Sequence, residues 1–171
     1  MTVDTVPITD ERLIYVLLWG EEMSTTKALI DFILDGIFFK VDPQFVRPEQ
    51  FGDGAFSRLE VIWDVNRPPV ILERVDTAAL GRVLEEAHQL FEVLAAEPDS
   101  SAQPERARHE LARTRAAVRI TFDGETMTEG AWMMLDCVEA HLAWTYGGLI
   151  YVKNEGFYDS ALQPLLRRRP K

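Results

Sequence analysis

Cys137 and His141 are the two side chains in this 171-residue chain whose spacing most resembles a reactive site. Four residues apart on a helix, they would share one face, as a Cys–His nucleophile pair or two metal ligands require. Their surroundings point elsewhere. Cys137 falls mid-helix, away from the helix N-terminus where thiolates are stabilised, and next to the anionic Asp136. No further Cys or His lies nearby to complete a site, so packing accounts for the pair better. His88 and His109 complete the set of three histidines, and nothing in their spacing supports a three-histidine metal site.

Carboxylates offer the other chemistry. Asp123, Glu125 and Glu129 follow the end of an expected strand, where they could hold a hard cation, but the spacing lacks the alternating oxygen ligands of an EF-hand. An Asp-Gly turn at Asp123 and helix capping at Glu129 explain the same residues. For an acid–base enzyme with a site in a sheet–helix cleft, His141, Asp136, Asp64 and Glu73 are the first candidates. The phosphate-loop, dinucleotide, nucleophile-elbow and His-Glu-x-x-His motifs are all absent. Gly147-Gly148 precedes a strand and so lacks the helix N-terminal amides that cradle phosphate. Absent motifs weigh against an enzyme, although acid–base sites need no local signature. No cofactor and no metal site are expected.

Charge and aromatic residues favour binding over catalysis. The chain carries 28 Asp and Glu against 18 Lys and Arg, a formal net charge of −10. The last five residues, Arg167 to Lys171, contribute +4, leaving −14 on residues 1–166. Arg106, Arg108, Arg113, Arg115 and Arg119 form a second basic zone. An acidic body repels phosphate backbones, which disfavours nucleic acid as a partner. The helix expected from Glu129 to Tyr146 is apolar around most of its circumference, with Asp136 and Glu139 on a narrow polar stripe beside Trp132. Together these three form a candidate contact surface for a partner. A second candidate is the proline- and glycine-bearing stretch 43–57 with Phe45, Phe51 and Phe56, because a loop of that length is usually functional or poorly ordered.

These residues must be positioned by a regular framework, and its signals are legible. Leu13–Trp19 is an apolar run of strand length that needs cover on both faces. Ser24 or Thr25 caps a helix ending at Asp35, with Gly36 as its stop. Ile37–Val41 is expected as a short strand. Alternating residues 58–65 and the run Val70–Val75, joined across Asn66-Arg67-Pro68-Pro69, predict a β-hairpin. The polar alternates Arg58, Glu60, Asp64, Arg74, Arg119 and Thr121 predict a sheet face partly open to water. Asp76 caps a helix to about Ala96 with a stripe through Leu80, Val83, Leu84, Ala87, Leu90, Phe91 and Leu94. Pro104 opens a more polar, peripheral helix, Ala117–Phe122 alternates as a strand, and Thr126 with Glu129 has capping-box spacing. Leu149–Val152 reads as a last strand.

The length suits one α+β domain over residues 1–166, followed by a basic C-terminal tail at 167–171. Its expected form is a mixed, largely antiparallel sheet with helices packed mainly on one face, ferredoxin-like in part of its element order. The lone cysteine rules out an internal disulfide framework. No leader segment and no bilayer-length apolar run is found, so the expectation is a cytoplasmic protein without a membrane partner. The expected function is non-catalytic binding of a protein partner, basic in character. A toxin antagonist of the immunity type is the concrete form, with a small Asp/Glu/His enzyme and a homodimer or larger homo-oligomeric module as the alternatives.

Overall fold

The apolar run beginning at Leu13 becomes an inner strand of an eight-stranded sheet. The computed structural model describes residues 4–48, 56–97 and 101–169. In chain order the elements are β1 (Glu11–Leu18), α1 (Thr26–Asp35), β2 (Gln44–Val46), β3 (Arg58–Ile62), β4 (Val70–Arg74) and α2 (Thr77–Ala96). They continue with α3 (Pro104–Ala112), β5 (Ala116–Asp123), α4 (Glu129–Tyr146), β6 (Gly148–Val152), β7 (Gly156–Tyr158) and β8 (Pro164–Arg167). The strand order is β2-β3-β4-β5-β1-β6-β7-β8. The pairings β2–β3, β3–β4, β1–β6, β6–β7 and β7–β8 are all antiparallel. The fold is therefore mixed α+β, an antiparallel sheet with helices packed against it. Its ferredoxin-like character is confined to element order along the chain, because a ferredoxin-like sheet sets the first strand between the third and fourth, whereas here β5 lies between β4 and β1.

The chain divides into two units that share β1, β5 and α4 by sequence. The first comprises Met1–Leu13, Met23–Arg74 and Arg119–Val138, the second Ile14–Glu22, Val75–Val118 and Glu139–Lys171.

In the first unit α1 starts where the Thr25 hydroxyl accepts the Ala28 N–H at 3.1 Å, a cap that contributes about 1 kcal/mol. Its inward residues Leu29 and Ile33 are buried with Phe56, Leu59, Val61, Val70, Leu72, Ile120 and Phe122. The hairpin β3–β4 places Arg58 directly opposite Glu73. Of the alternates expected on a face partly open to water, Arg58, Glu60, Asp64, Arg74 and Arg119 are half-buried and Thr121 is buried, and Arg58, Glu60 and Arg119 join Glu73 in an ion ladder. Arg58 lies 2.9 Å from Glu60 and 3.2 Å from Glu73, and Arg119 bonds the other Glu73 oxygen at 3.0 Å. Each charge there is offset by its neighbour, and so tolerates partial loss of water.

Three local expectations need correction in this unit. Ile37–Val41 is not a strand. The Ile37 N–H bonds back to the Leu34 carbonyl at 3.3 Å, and Ile37 itself takes φ 51°. The chain therefore leaves the helix in a tight turn, and the strand forms later, at β2. Helix α4 is capped by Thr128, whose hydroxyl accepts the Ala131 N–H, and not by the box of Thr126 and Glu129. The Thr126 carbonyl is taken by Arg67 at 2.6 Å. Finally, β3 ends at Ile62, three residues before the alternation does, because Asp64 begins a turn. Its carboxylate accepts the Asn66 N–H and its carbonyl accepts the Arg67 N–H.

The second unit has an aromatic core. Tyr15 stacks on Tyr151 at 5.7 Å, Tyr151 on Phe157 at 5.3 Å, and Phe91 meets Phe157 edge-on at 6.3 Å. Asp76 caps α2 through the Ala79 N–H at 2.7 Å, and the stripe Val83, Ala87, Leu90, Phe91 and Leu94 is buried as its periodicity required. Helix α3 is less peripheral than its polarity implied, burying Ala107, Leu111 and Glu110. Arg106 bridges Glu110 and Asp159, each at 3.3 Å. Arg167 belongs to β8, and Arg168 donates to the carbonyls of Glu155 and Asn154.

Candidate functional site

Two irregular segments of the first unit, each left over where a regular element stops, build a cleft. After Ile62 the chain carries Trp63, Asp64 and Val65 past the end of β3. After Asp35 it turns through Ile37 into Phe38, Phe39, Lys40, Val41 and Asp42. This second segment rests on Gly130 in the first turn of α4, where an added Cβ would come within 2.6 Å of the Phe38 carbonyl oxygen. Only glycine permits that approach without displacement. The resulting cleft has a volume of about 590 Å³ and is lined also by Gln44, Ile62, Thr128 and Gly130, a size suited to a small ligand or a few residues of a peptide.

Its floor is aromatic. Phe39 stacks on Trp63 at 5.9 Å, and Phe38 meets Phe39 edge-on at 6.5 Å. The Arg67 guanidinium lies 5.6 Å from the Trp63 ring centroid, within cation–π range. Trp63 is only 9% exposed, yet its buried indole N–H has no acceptor among the described residues, a state that costs about 1–3 kcal/mol. By contrast Ile37, Val41 and Val65 are 82%, 79% and 62% exposed. The ionic groups on the wall are Lys40, Asp42 and Asp64, and Asp64 lies 3.4 Å from Arg67.

The surface candidates read from the sequence scatter. Trp132 is 40% exposed and packs edge-on against Phe122 at 5.3 Å, so it does reach the surface, and Asp136 is exposed near it on α4. Glu139 is not at the surface. At 4% exposure it faces inward, because the outward positions of α4 are 129, 132, 133, 136, 144 and 145. Phe56 is likewise withdrawn, 1% exposed in the core with its N–H on the Ser24 carbonyl. Phe45 is half-buried in β2 opposite Val61. Phe51 lies outside the described residues.

The four residues of the enzyme alternative are dispersed. Glu73 stands opposite Arg58 at the open end of the hairpin, held between two arginines. Asp64 lies at the turn end, and a five-residue strand separates the two by about 15 Å. Asp136 and His141 are on α4. Partial burial lifts the Asp136 carboxyl above its ordinary value and lowers the His141 imidazole, whose Nδ1 lies 3.4 Å from the Thr145 hydroxyl. His88 and His109 are exposed on α2 and α3. Among the described residues no group of three or more His, Cys, Asp or Glu is gathered as a metal site requires.

Asp123 is structural. Its carboxylate accepts the Thr9 N–H at 2.9 Å, the Thr9 hydroxyl, the Asp10 N–H and the Glu125 N–H. The Thr9 bond foremost, against the opposing effect of burial, holds the carboxyl at about 2 instead of 3.8.

The cleft itself was missed by sequence reasoning, which placed the loop surface a few residues too late. The usable signal was Gly36-Ile37-Phe38-Phe39-Lys40-Val41-Asp42-Pro43, an apolar run hemmed by a helix stop and a proline. No protein-family model matches the chain, and neither does any curated protein or solved structure. Among the described residues no helix is long and apolar enough to cross a membrane.

Proposed function

We propose that this chain is a non-catalytic protein-binding domain that engages a basic partner through the cleft of its first unit. In its most concrete form it is an antagonist of such a partner, as an immunity-type protein is of a toxin. One observation carries the proposal: the exposed Val41 and Val65 line an aromatic cleft, next to an exposed Ile37. Isolated surface valines are ordinary, but a cluster of large apolar groups beside a recess is a feature of contact surfaces. Ile37 strengthens it. A β-branched residue in the left-handed region is disfavoured, and such outliers gather at functional sites. The first unit contains 15 Asp and Glu against 8 Lys and Arg, a net −7, and a field of that sign speeds and orients the approach of a cationic partner.

The test uses the full chain as bait in a lysate of its native host, followed by titration of the purified captured protein. Val41→Asp and Val65→Asp are expected to weaken binding by about tenfold or more, as loss of a contact anchor does, while circular dichroism and unfolding stay unchanged. Binding should also weaken with salt. Trp132→Ala separates a contribution of the α4 surface from that of the cleft. Equal affinity for wild type and both valine variants, with no salt dependence, overturns the proposal.

A further inference from the structure

We infer that the outward stripe of α4 binds a second copy of this chain, the two helices lying antiparallel across a two-fold axis; this is independent of the partner-binding function proposed above. α4 is one uninterrupted helix over Glu129–Tyr146, so the spacing along it follows from helix geometry. Met133, Cys137, Ala140 and Trp144 recur every three or four residues and so lie along one face. Trp144 is 79% exposed and Met133 52%, whereas Cys137 and Ala140 between them are half-buried. The stripe is thus large at both ends and small in the middle. It is also symmetric about the point between Val138 and Glu139, because Met133 and Trp144 stand equally far from that point, as do Cys137 and Ala140.

A stripe with this symmetry is complementary to its own antiparallel copy, which is what a two-fold interface requires. Met133 of each copy meets Trp144 of the other, a thioether against an indole ring. Cys137 meets Ala140, and small side chains there let the helix axes approach to about 8 Å. The area fits as well. With Trp132 on the flank at 40%, the stripe presents roughly 400 Å² of apolar surface per copy. Two copies bury roughly 800 Å² from these three residues, and the flanking Asp136, His141 and Thr145 carry the total past the ~1,000 Å² of a specific interface. The carboxylates stay at the wet rim, where Asp136 of the two copies lie on the same flank, about 7 Å apart along the axes. Like charge is the main opposition, since each chain carries −10. Salt therefore strengthens the dimer, opposite to its effect on a basic partner.

Sedimentation velocity of the full chain, from micromolar to near-millimolar concentration and at low and high salt, tests this. The expected result is a monomer–dimer equilibrium that tightens with salt. Trp144→Ser and Met133→Ser should each weaken it by about tenfold or more, as loss of a contact anchor does. Both side chains are exposed in the single chain, so both variants keep the fold, which circular dichroism checks. A short bismaleimide should link the wild type through Cys137, its only cysteine, which meets its own copy near the two-fold axis. Glu129→Cys in a Cys137→Ser chain should not link to itself, because antiparallel axes set those two thiols about 28 Å apart along the helix. A chain that is monomeric throughout, or a dimer indifferent to both serine variants, overturns the inference and leaves the stripe to another occupant. Self-linking of the Glu129→Cys chain overturns the antiparallel arrangement.

Discussion

The two units spend their aromatic and charged residues differently. In the second, Tyr15, Tyr151, Phe157 and Phe91 form one buried chain of rings, and cations are tied down: Arg106 by Glu110 and Asp159, Arg113 over Trp19 at 4.0 Å, Arg108 over Phe91 at 5.2 Å. Burial also pushes the Tyr151 hydroxyl up to about 12, with Glu86 and Tyr15 adding to the effect, so that it stays neutral. In the first unit Phe38, Phe39 and Trp63 line an open recess, and apolar side chains beside it face solvent. Rings that are fully enclosed contribute through lost water contact and packing. Rings along a cleft keep part of that gain in reserve for whatever enters. Under the proposed function the second unit's buried rings serve stability and the first unit's cleft serves recognition, although the second unit also exposes a ring, Trp144, at 79%.

The largest expected effect breaks that comparison if it comes out wrong. Phe157→Ala should cost about 3–5 kcal/mol in urea unfolding, with partner affinity of the folded protein unchanged. A change in affinity would mean that the second unit takes part in recognition. Gly130→Ala comes next. Moving the Phe38 carbonyl aside should cost about 1–3 kcal/mol, and because Phe38 belongs to the cleft wall, affinity should fall as well. Stability lost without any change in affinity would detach the cleft from binding.

A smaller effect has the opposite sign. Ile37→Gly removes a β-branched residue from the left-handed region and should raise stability by about 0.5–1 kcal/mol, while weakening partner binding by loss of an exposed apolar group. Greater stability with equal affinity would make Ile37 a mere irregularity of the helix end. The last test concerns acid. Asp123 has its folded-state pKa below the unfolded one, so its contribution to stability is complete above about pH 4. That contribution is lost as pH falls toward 2. Asp123→Asn should flatten this part of the acid limb and leave the cleft's affinity at neutral pH untouched; an altered affinity would join the Thr9 clasp to the binding surface.

How legible each part was depends on the range of the interactions that decide it. The caps at Thr25 and Asp76, the hairpin around Pro68-Pro69, the stripe of α2 and the stop at Gly147, which takes φ 72°, rest on contacts within a few residues. They were readable for that reason. The alternation that carried a strand through Val65 was misleading because a turn at Asp64 competed with it. The apolar run at Ile37–Val41 was misread because an apolar run says that a segment seeks contact, not which contact. The seat on Gly130 lies some ninety residues away in the chain.

Composition and periodicity alone thus determined an acidic α+β chain with one cysteine, its helices and most of its strands. They also showed that its carboxylates and histidines carry no local catalytic signature. Only the tertiary structure decided which aromatic residues are core and which line a recess, drawing Phe56 and Glu139 inward and leaving Ile37, Val41 and Val65 outside. The physical reason is that secondary structure follows from local backbone and side-chain preferences, whereas exposure depends on which distant surface happens to cover a residue.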